Sequence, residues 1–425
     1  MNDFKIGINL WSQGTSWPDL LEAAKNADRL GYDSLWTWDH LKAIFGDPHQ
    51  PIFEGWTTIT AWAMATQRIK IGLMVGANTF RNPGLVAKIV TTLDHVSGGR
   101  AILGLGGAWF ELEHREFGID FGRSPGQRLD WLDESVGSIR ELMAGKSVTS
   151  PAGGRYDFHD LTINPMPVQK RLPILIGGNG RTKTLRTLAR YGDIWNAFGL
   201  PAEVKELDGV LRQHCEEVGR DERTIERSIN LWMIIRDSEA AARSEWAKEM
   251  ESNRTPLERS IEPSRPLFGT PETIAERLAE YYDSGFTTAM VEIPAPYDRE
   301  TLERLAREVM PKVSKTPACP HEYGKPRAAA SLATRGFRLY GSSAGGGSGS
   351  YIPPVNRPMM LPSLSLNHAA SPSGVFVTPL TVLMPGMSYS SNRTPRAWSS
   401  VTVADRSATR KPAAVALLVP ANVDG

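Results

Sequence analysis

The chain has 425 residues, enough for one large barrel with additions or for two or three ordinary domains. With 41% hydrophobic and 22% charged residues it has a soluble globular composition, and a net charge of +1 gives no reason to expect nucleic acid or a membrane as partner. The total conceals two unlike parts: Thr316 to Gly425 carries 10 Lys+Arg against 3 Asp+Glu, a net +7, whereas residues 1–315 carry 38 against 44, a net −6.

Cys215 and Cys319 are too few and too scattered for a disulfide framework or a Cys-rich metal site. The opening MNDFKIGINL reads as a first strand rather than a leader, so the cytoplasm is the expected location. No run reaches the roughly 18 apolar residues of a membrane span. The sequons at Asn253 and Asn392 then read as chance matches.

Short apolar strands alternate with amphipathic helices from the start. Lys5–Leu10 is the first strand, followed by a helix over Pro18–Leu30 that closes at Gly31. Ser34–Trp38 is the second strand and Gly55–Thr66 a helix. Ile69–Val75 is the third strand, and Asn82-Pro83 supplies an N-cap and first-turn proline for a helix to about Val96. Arg100–Leu105 is the fourth strand, running through a Gly-Gly turn into an aromatic and acidic loop, before a helix over Gln127–Met143. Ser147–Pro165 reads as a hairpin-type excursion. Pro173–Ile176, Asp193–Phe198, Ser228–Arg236 and Thr287–Ile293 are strands five to eight. Their helices include one over Arg181–Tyr191, one through Val218, one capped by Thr270-Pro271-Glu272 and a last one over Arg299–Val309. The charged piece Asp237–Arg265 reads as an insertion.

Eight alternations in about 310 residues call for a parallel sheet, because parallel strands need helical crossovers. The count predicts an α/β fold of the closed (β/α)8 TIM-barrel type, with insertions, over residues 1–315. Residues 316–425 contain GSSAGGGSGS, much Pro, Ser and Ala, and no useful periodicity, and are expected to be a disordered low-complexity tail. A tail that contacts an anionic partner is one reading. A segment with no part in the barrel's chemistry, even one translated from an altered frame, is the reading adopted.

In such barrels the loops after the strands form the active face. Asp39 and His40 follow the second strand, where a carboxylate and an imidazole can bind a polar edge and exchange a proton; a capping Asp beside an exposed His is the plainer alternative. Met74, Val75, Gly76 and Asn78 end the third strand, where glycine marks either a bulge or the close approach of a ring-shaped ligand. Gly177-Gly178-Asn179-Gly180-Arg181 is either a tight turn or, with Lys183, a phosphate seat at a helix start. Gly104-x-Gly106-Gly107 is no dinucleotide fingerprint, since Trp109 stands where a third glycine is needed. Glu111-x-x-His114 is a lone motif on a loop, so no metal is expected. Trp11, Trp38, Trp109, Phe110 and Trp195, all near strand ends, suit a pocket for a flat conjugated ring.

These segments, in this order, resemble the bacterial luciferase-like monooxygenase superfamily and in particular its coenzyme F420-dependent branch. The resemblance covers about residues 3–313 and rests on SLWTWDHL (34–41), TFRNP (79–83), residues 100–118 and PILIGGNGRTKTLRTLARYGDIWN (173–196). It implies a TIM barrel with a flavin or deazaflavin at the C-terminal mouth, Asp39 and His40 near the reactive ring, and a non-proline cis peptide at Met74-Val75. It also implies phosphate and side-chain contacts from Gly106-Gly107 and Gly177–Arg181, and a homodimer. The sugar-phosphate dehydrogenases of this branch carry a catalytic Glu where this chain has Trp109. That departure speaks against glucose 6-phosphate and against a simple acid–base pair made with His40, and Trp109-Phe110 would narrow the pocket for an apolar or aromatic substrate.

The function expected is hydride transfer between F420 and a small organic substrate, with His40 as acid/base and Asp39 orienting it or binding the ring edge. A two-component monooxygenase using reduced FMN is the first alternative. A cofactor-free barrel with a binding or structural role is the second.

Overall fold

The computed structural model describes residues 4–255 and 266–313. The expected tail from 316 onward, and part of the expected insertion, lie outside the described residues.

Eight parallel strands form a closed ring. They are β1 (Lys5–Leu10), β2 (Ser34–Thr37), β3 (Lys70–Leu73), β5 (Ala101–Gly106), β6 (Ile174–Gly177), β7 (Ile194–Ala197), β8 (Glu226–Ile235) and β10 (Thr288–Ile293), with the short β4 (Gly76–Ala77) continuing β3 and β9 (Leu267–Gly269) outside the ring. The order is β10-β1-β2-β3-β5-β6-β7-β8, and β10 also pairs with β8, which closes the circle. The TIM barrel expected from the alternation is present.

The intervening helices are α1 (Trp17–Leu30), α2 (Gly55–Ala65), α3 (Pro83–Ser97), α4 (Glu111–Phe117), α5 (Pro125–Met143), α6 (Thr184–Tyr191), α7 (Pro201–Glu217), α8 (Glu239–Ser252), α9 (Pro271–Asp283) and α10 (Arg299–Arg304). Their ends follow local chemistry. Ser16, Asn82, Ser124 and Thr270 cap α1, α3, α5 and α9 through their side chains, each followed by a proline in the first turn. Gly31 and Gly98 close α1 and α3 in the left-handed region at φ 93 and 67.

Alternation along the strands sorts the core into two. Outward residues such as Ile6, Ile8, Leu35, Leu103, Ile176 and Trp195 pack under the helices in the large cluster. Inward residues Trp36, Met74, Ile102, Leu175, Ile194 and Met290 make an apolar plug inside the ring. A barrel of this kind is a packed core rather than a pore.

Three differences from the sequence reading have physical causes. The acidic loop after the fourth strand is a helix, α4, with acids in its first turn and His114 and Arg115 in its last, the arrangement the helix dipole favours. The insertion is no mere surface excursion: Ala242, Trp246 and Met250 of α8 pack with Trp11, Trp38, Trp232, Ile234 and Phe268 in a separate cluster at the barrel mouth. The last helix is broken by a π-helical turn over Leu305–Val309. The excursion after α5 closes as expected, through an antiparallel bridge between Val148 and Leu161. No helix among the described residues is long and apolar enough to cross a membrane.

Glu249 of α8 is buried and neither of its carboxylate oxygens has a hydrogen-bond partner among the described residues. Burial, with Asp298 and Glu245 nearby, pushes its carboxyl up to about 9 against the pull of Arg236. The folded state therefore holds a proton that the unfolded chain releases near pH 4.5, and stability falls as pH rises from there toward 9. At pH 7 this costs on the order of 3 kcal/mol. Glu249→Gln is expected to gain several degrees of melting temperature on the parent between pH 5 and pH 8, read by thermal scans across that range. Parallel pH profiles for the two proteins would refute the account.

Candidate active site

The C-terminal ends of the strands surround a cavity of about 640 Å³. Its wall takes residues from the β2 end (Trp38, Asp39, His40), the β3–β4 junction (Met74, Val75, Gly76, Ala77), the β5 end (Gly106, Gly107, Ala108, Trp109), the β6 end (Gly177, Gly178), β8 (Asn230, Leu231, Trp232) and β10 (Glu292). Of the positions picked out in the sequence, Asp39, His40, Met74, Val75, Gly76, Gly106, Gly107, Gly177, Gly178 and Trp109 converge here.

Others lie elsewhere. Trp195 falls on the outward face of β7, where it packs against Phe286 and donates its indole hydrogen to the Gly178 carbonyl at 3.0 Å. Asn78 is buried behind the wall, and Asn179 binds the Phe198 backbone through both ends of its amide. Arg181 pairs with Glu206 and Lys183 with Asp130, so neither cation of the expected phosphate seat turns into the cavity. Gly180 is also off the wall. Trp11 is fully buried and acts on the cavity only through other side chains, and Phe110 reaches it as a neighbour of the His40 and Trp109 rings.

The junction between β3 and β4 contains one extra residue. Ile71 and Gly72 pair with Ala101 and Ile102, but Gly76 and Ala77 pair with Leu105 and Gly106, so the offset slips by one. This is a β-bulge beside the site, and the Met74-Val75 peptide within it is cis, as the resemblance implied. The bulge drives Val75 and the Leu73 carbonyl against the neighbouring strands. A Cβ on Gly104 would stand 1.9 Å from the Leu73 oxygen, and one on Gly106 would stand 2.6 Å from Val75 Cγ2. The Gly-x-Gly sequence is therefore demanded first by packing, and the bare backbone it leaves at Gly106 and Gly107 faces the cavity.

Asp39 is buried and held on two sides. Arg81 grips it with both guanidinium ends, Nη1 to Oδ2 at 2.7 Å and Nη2 to Oδ1 at 3.1 Å, and the Ala77 N–H donates to Oδ2 at 2.9 Å. Arg81 Nη2 also reaches Glu54 Oε1 at 2.7 Å, and Glu54 caps α2. Burial nonetheless raises the Asp39 carboxyl above the usual aspartate range, with Arg81 and Ala77 opposing the shift. Asp39 is thus committed to the TFRNP arginine and the bulge, and makes no hydrogen bond to His40.

His40 is oriented by a residue the sequence reading did not single out. Its Nδ1 lies 2.9 Å from Oε1 of Glu113, and the other carboxylate oxygen of Glu113 accepts the Leu41 N–H at 2.8 Å. Glu113 is buried on α4, four residues past the Trp109 that replaces the glutamate of the resembled dehydrogenases. The chain therefore does couple a carboxylate to His40, from the next helix rather than from the strand end. The signal for it was the helical spacing of Glu113 among the acids of that segment. His114, its neighbour, is occupied by Thr79 Oγ1 at 2.7 Å and the Phe110 carbonyl at 2.8 Å.

Aromatic side chains line one wall. Trp38, Phe45 and Trp232 face the cavity, and Trp11 stacks behind them with its centroid 4.5 Å from Phe45, 4.7 Å from Trp38 and 5.3 Å from Trp232. Trp246 of α8 braces Trp232 at 5.0 Å. At the mouth Trp109 and Phe198 are 62% and 49% exposed. Large apolar groups left in water beside a cavity are what a bound ring or substrate would cover.

Glu292 also escaped the sequence reading. It is buried at the cavity floor and accepts from Asn9 Nδ2 at 2.8 Å, Asn230 Nδ2 at 3.0 Å and Trp11 Nε1 at 2.8 Å. Burial pushes its carboxyl up to about 7, although these amides and the Trp11 and Trp38 indoles favour the charged form.

Residues 5–288 match the family described as luciferase-like monooxygenase. Among curated proteins, an F420-dependent glucose-6-phosphate dehydrogenase of Microbacterium testaceum is 28% identical over 336 residues, 73% of this chain and 98% of the relative. A 4-hydroxyprotoasukamycin monooxygenase of Streptomyces nodosus subsp. asukaensis is 27% identical over 52% of this chain and 57% of its own length. Among solved structures, an F420-dependent secondary alcohol dehydrogenase in complex with an F420-acetone adduct superposes with a TM-score of 0.63 at 21% identity, over 74% of this chain and 99% of the other. A monooxygenase from Streptomyces bottropensis gives 0.62 at 22%, over 72% and 99%. With two thirds of its length matched, and with the closed barrel, the bulged third strand and the Asp39–His40 corner in place, the chain belongs to the luciferase-like monooxygenase family.

Proposed function

We propose that this chain is an F420-dependent oxidoreductase that exchanges a hydride with a small organic substrate in the cavity at the barrel mouth. The observation that carries the reading is the convergence of a bare-backbone wall with a carboxylate-oriented histidine. Gly76, Gly106, Gly107, Gly177 and Gly178 leave backbone bare around Val75 on one side of the cavity, and His40 with Glu113 stands on its rim. Gly178 lies at φ 124, where side chains are rarely tolerated, so that wall keeps its backbone open to a flat group. The F420-dependent relatives match nearly their whole length to this chain.

When bound, F420 supplies a ring position that gives or takes a hydride. The protein's contribution is position, dryness and a proton. The Asp39–Arg81–Glu54 chain ties the β2 loop, the bulge and α2 into one rigid corner. His40 is the proton-carrying group: the bond from Nδ1 to Glu113 fixes the ring, and a carboxylate there stabilises the imidazolium that forms when Nε2 takes a proton from substrate. Trp38, Phe45, Trp109 and Trp232 exclude water from the apolar part of the substrate.

Titration of the purified full-length chain with F420 and with FMN tests the cofactor. F420 is expected to bind at least tenfold more tightly; the reverse order would replace this reading by that of a monooxygenase using reduced FMN. A screen of alcohols, amines and glucose 6-phosphate, following F420 reduction, should leave the sugar phosphate without turnover because Trp109 occupies the strand-end position. For the first substrate that does turn over, His40→Asn should lower kcat by about 10²- to 10⁴-fold with F420 affinity changed less than threefold. An unchanged kcat would remove His40 from the proton step.

A further inference from the structure

The cavity is lined by several carboxylates, and they differ in their partners. Asp39 is paired with the Arg81 guanidinium, and Glu113 is hydrogen-bonded to the His40 ring and the Leu41 N–H. Glu292 has no cation: the groups that favour its charged form are two amides and two indoles, and no Lys, Arg or His among the described residues pairs with it. An acid buried without a positive partner is costly. Its nearest amides are themselves incomplete. Each donates its NH2 to Glu292 Oε1, and the carbonyl oxygen of each, Asn9 Oδ1 and Asn230 Oδ1, is buried without a partner.

Placement puts this group at the bottom of the pocket. Along β10, Met290 belongs to the apolar plug and Glu292, two residues on, is the next inward position. Asn9 pairs with Glu292 in register across β1 and β10. Trp38, Phe45 and Trp232 line the same cavity. A carboxylate without a cation beside an aromatic wall makes the cavity floor a place of negative potential. What completes it is a compact cation with several N–H donors, and aromatic faces add to the attraction for such a group.

We propose that the floor of the cavity is a binding site for an organic ammonium group, held by Glu292 against the Trp38–Phe45–Trp232 wall. This assignment rests on the reading of the cavity as a substrate site and narrows the substrate to a primary or secondary amine carrying an apolar body. The ammonium charge neutralises Glu292, whose carboxylate the Asn9 and Asn230 amides hold in place. The apolar body lies along the aromatic wall toward Trp109.

The test uses the cofactor-free full-length chain and calorimetric titration with benzylammonium, benzyl alcohol and benzoate. Benzylammonium is expected to bind at least tenfold more tightly than the alcohol at pH 8, and benzoate not at all. Because burial raises the Glu292 carboxyl to about 7, binding the cation should expel a proton at pH 6 and little at pH 8, with affinity rising between them. Proton release is read by repeating the titration in buffers of different ionisation enthalpy, and it needs no variant. The other titratable groups facing the cavity are Asp39, His40, Glu113, Glu203 and Tyr281, so Glu292→Gln supplies the assignment. It should abolish both the preference for the cation and its pH dependence while leaving benzyl alcohol within threefold. Equal binding of cation and alcohol, no binding of either, or a pH dependence that survives in E292Q would overturn the proposal. Failure here with F420 still bound would leave the oxidoreductase reading standing, and ammonium binding without F420 binding would sink that reading and keep this site.

Discussion

A closed ring of eight parallel strands has room inside for every second residue only, and this limit governs the rest of the molecule. At the lower level the ring is so tight that a Cβ on Gly7 would stand 2.4 Å from Ser34 Oγ and 2.7 Å from Met290 Sδ. Trp36, Met74, Ile102, Leu175, Ile194 and Met290 pack together in the interior. The next inward positions, Asn9, Asn196, Asn230 and Glu292, are polar. An apolar plug beneath a polar layer fixes the depth of the cavity, since nothing can descend past Met290 and the polar layer must find its partners above it.

The carboxylates of this layer and its rim show how one scaffold gives the same functional group different tasks. Asp39 is spent on structure: its guanidinium partner and the Ala77 amide lock the β2 loop to the bulged strand. Glu113 faces an imidazole and a backbone N–H, so it orients and can share a positive charge. Glu292 meets neutral donors alone, and these do not offset the burial that raises its carboxyl. Divergent environments for like groups are how acid and base roles are assigned in a site. Here the difference comes from which strand or helix carries each residue, and not from the residue type.

The fold was legible because it rests on periodicity and punctuation. Eight apolar runs, the Asn82-Pro83 and Thr270-Pro271 starts and the Gly31 stop are local signals, and local signals survive in a single sequence. The corner at Asp39 and His40 was legible for the same reason, being set by its place after a strand. What escaped depended on pairing across the barrel. Glu292 stands in VEIPAP with nothing nearby to distinguish it, and becomes a site residue only because β10 lies beside β1 and β8. Trp195 shows the converse: its strand was found, but a shift of one residue in the alternation decides between the pocket and the helical shell. Glu113 was hidden by reading its segment as a loop, where spacing carries no direction.

The glycines teach a different lesson about inference from motifs. Gly104, Gly106 and Gly177 look like a ligand-binding signature, yet each has an immediate reason in the bulge: the Leu73 carbonyl and Val75 would collide with a side chain at Gly104 and Gly106, and Val75 crowds Gly177. The extra residue in β3 pushes the chain sideways, the glycines of β5 and β6 yield space, and exposed backbone at the mouth is the consequence. Packing demand and cofactor access are therefore not rival explanations of the same residues. A strand that bulges toward its neighbours can be accommodated only by removing side chains, and their removal is what gives a planar ligand a wall to lie against. The Asp39–Arg81 clamp completes the logic, because it binds Ala77 immediately after the bulge and holds the displaced segment in place.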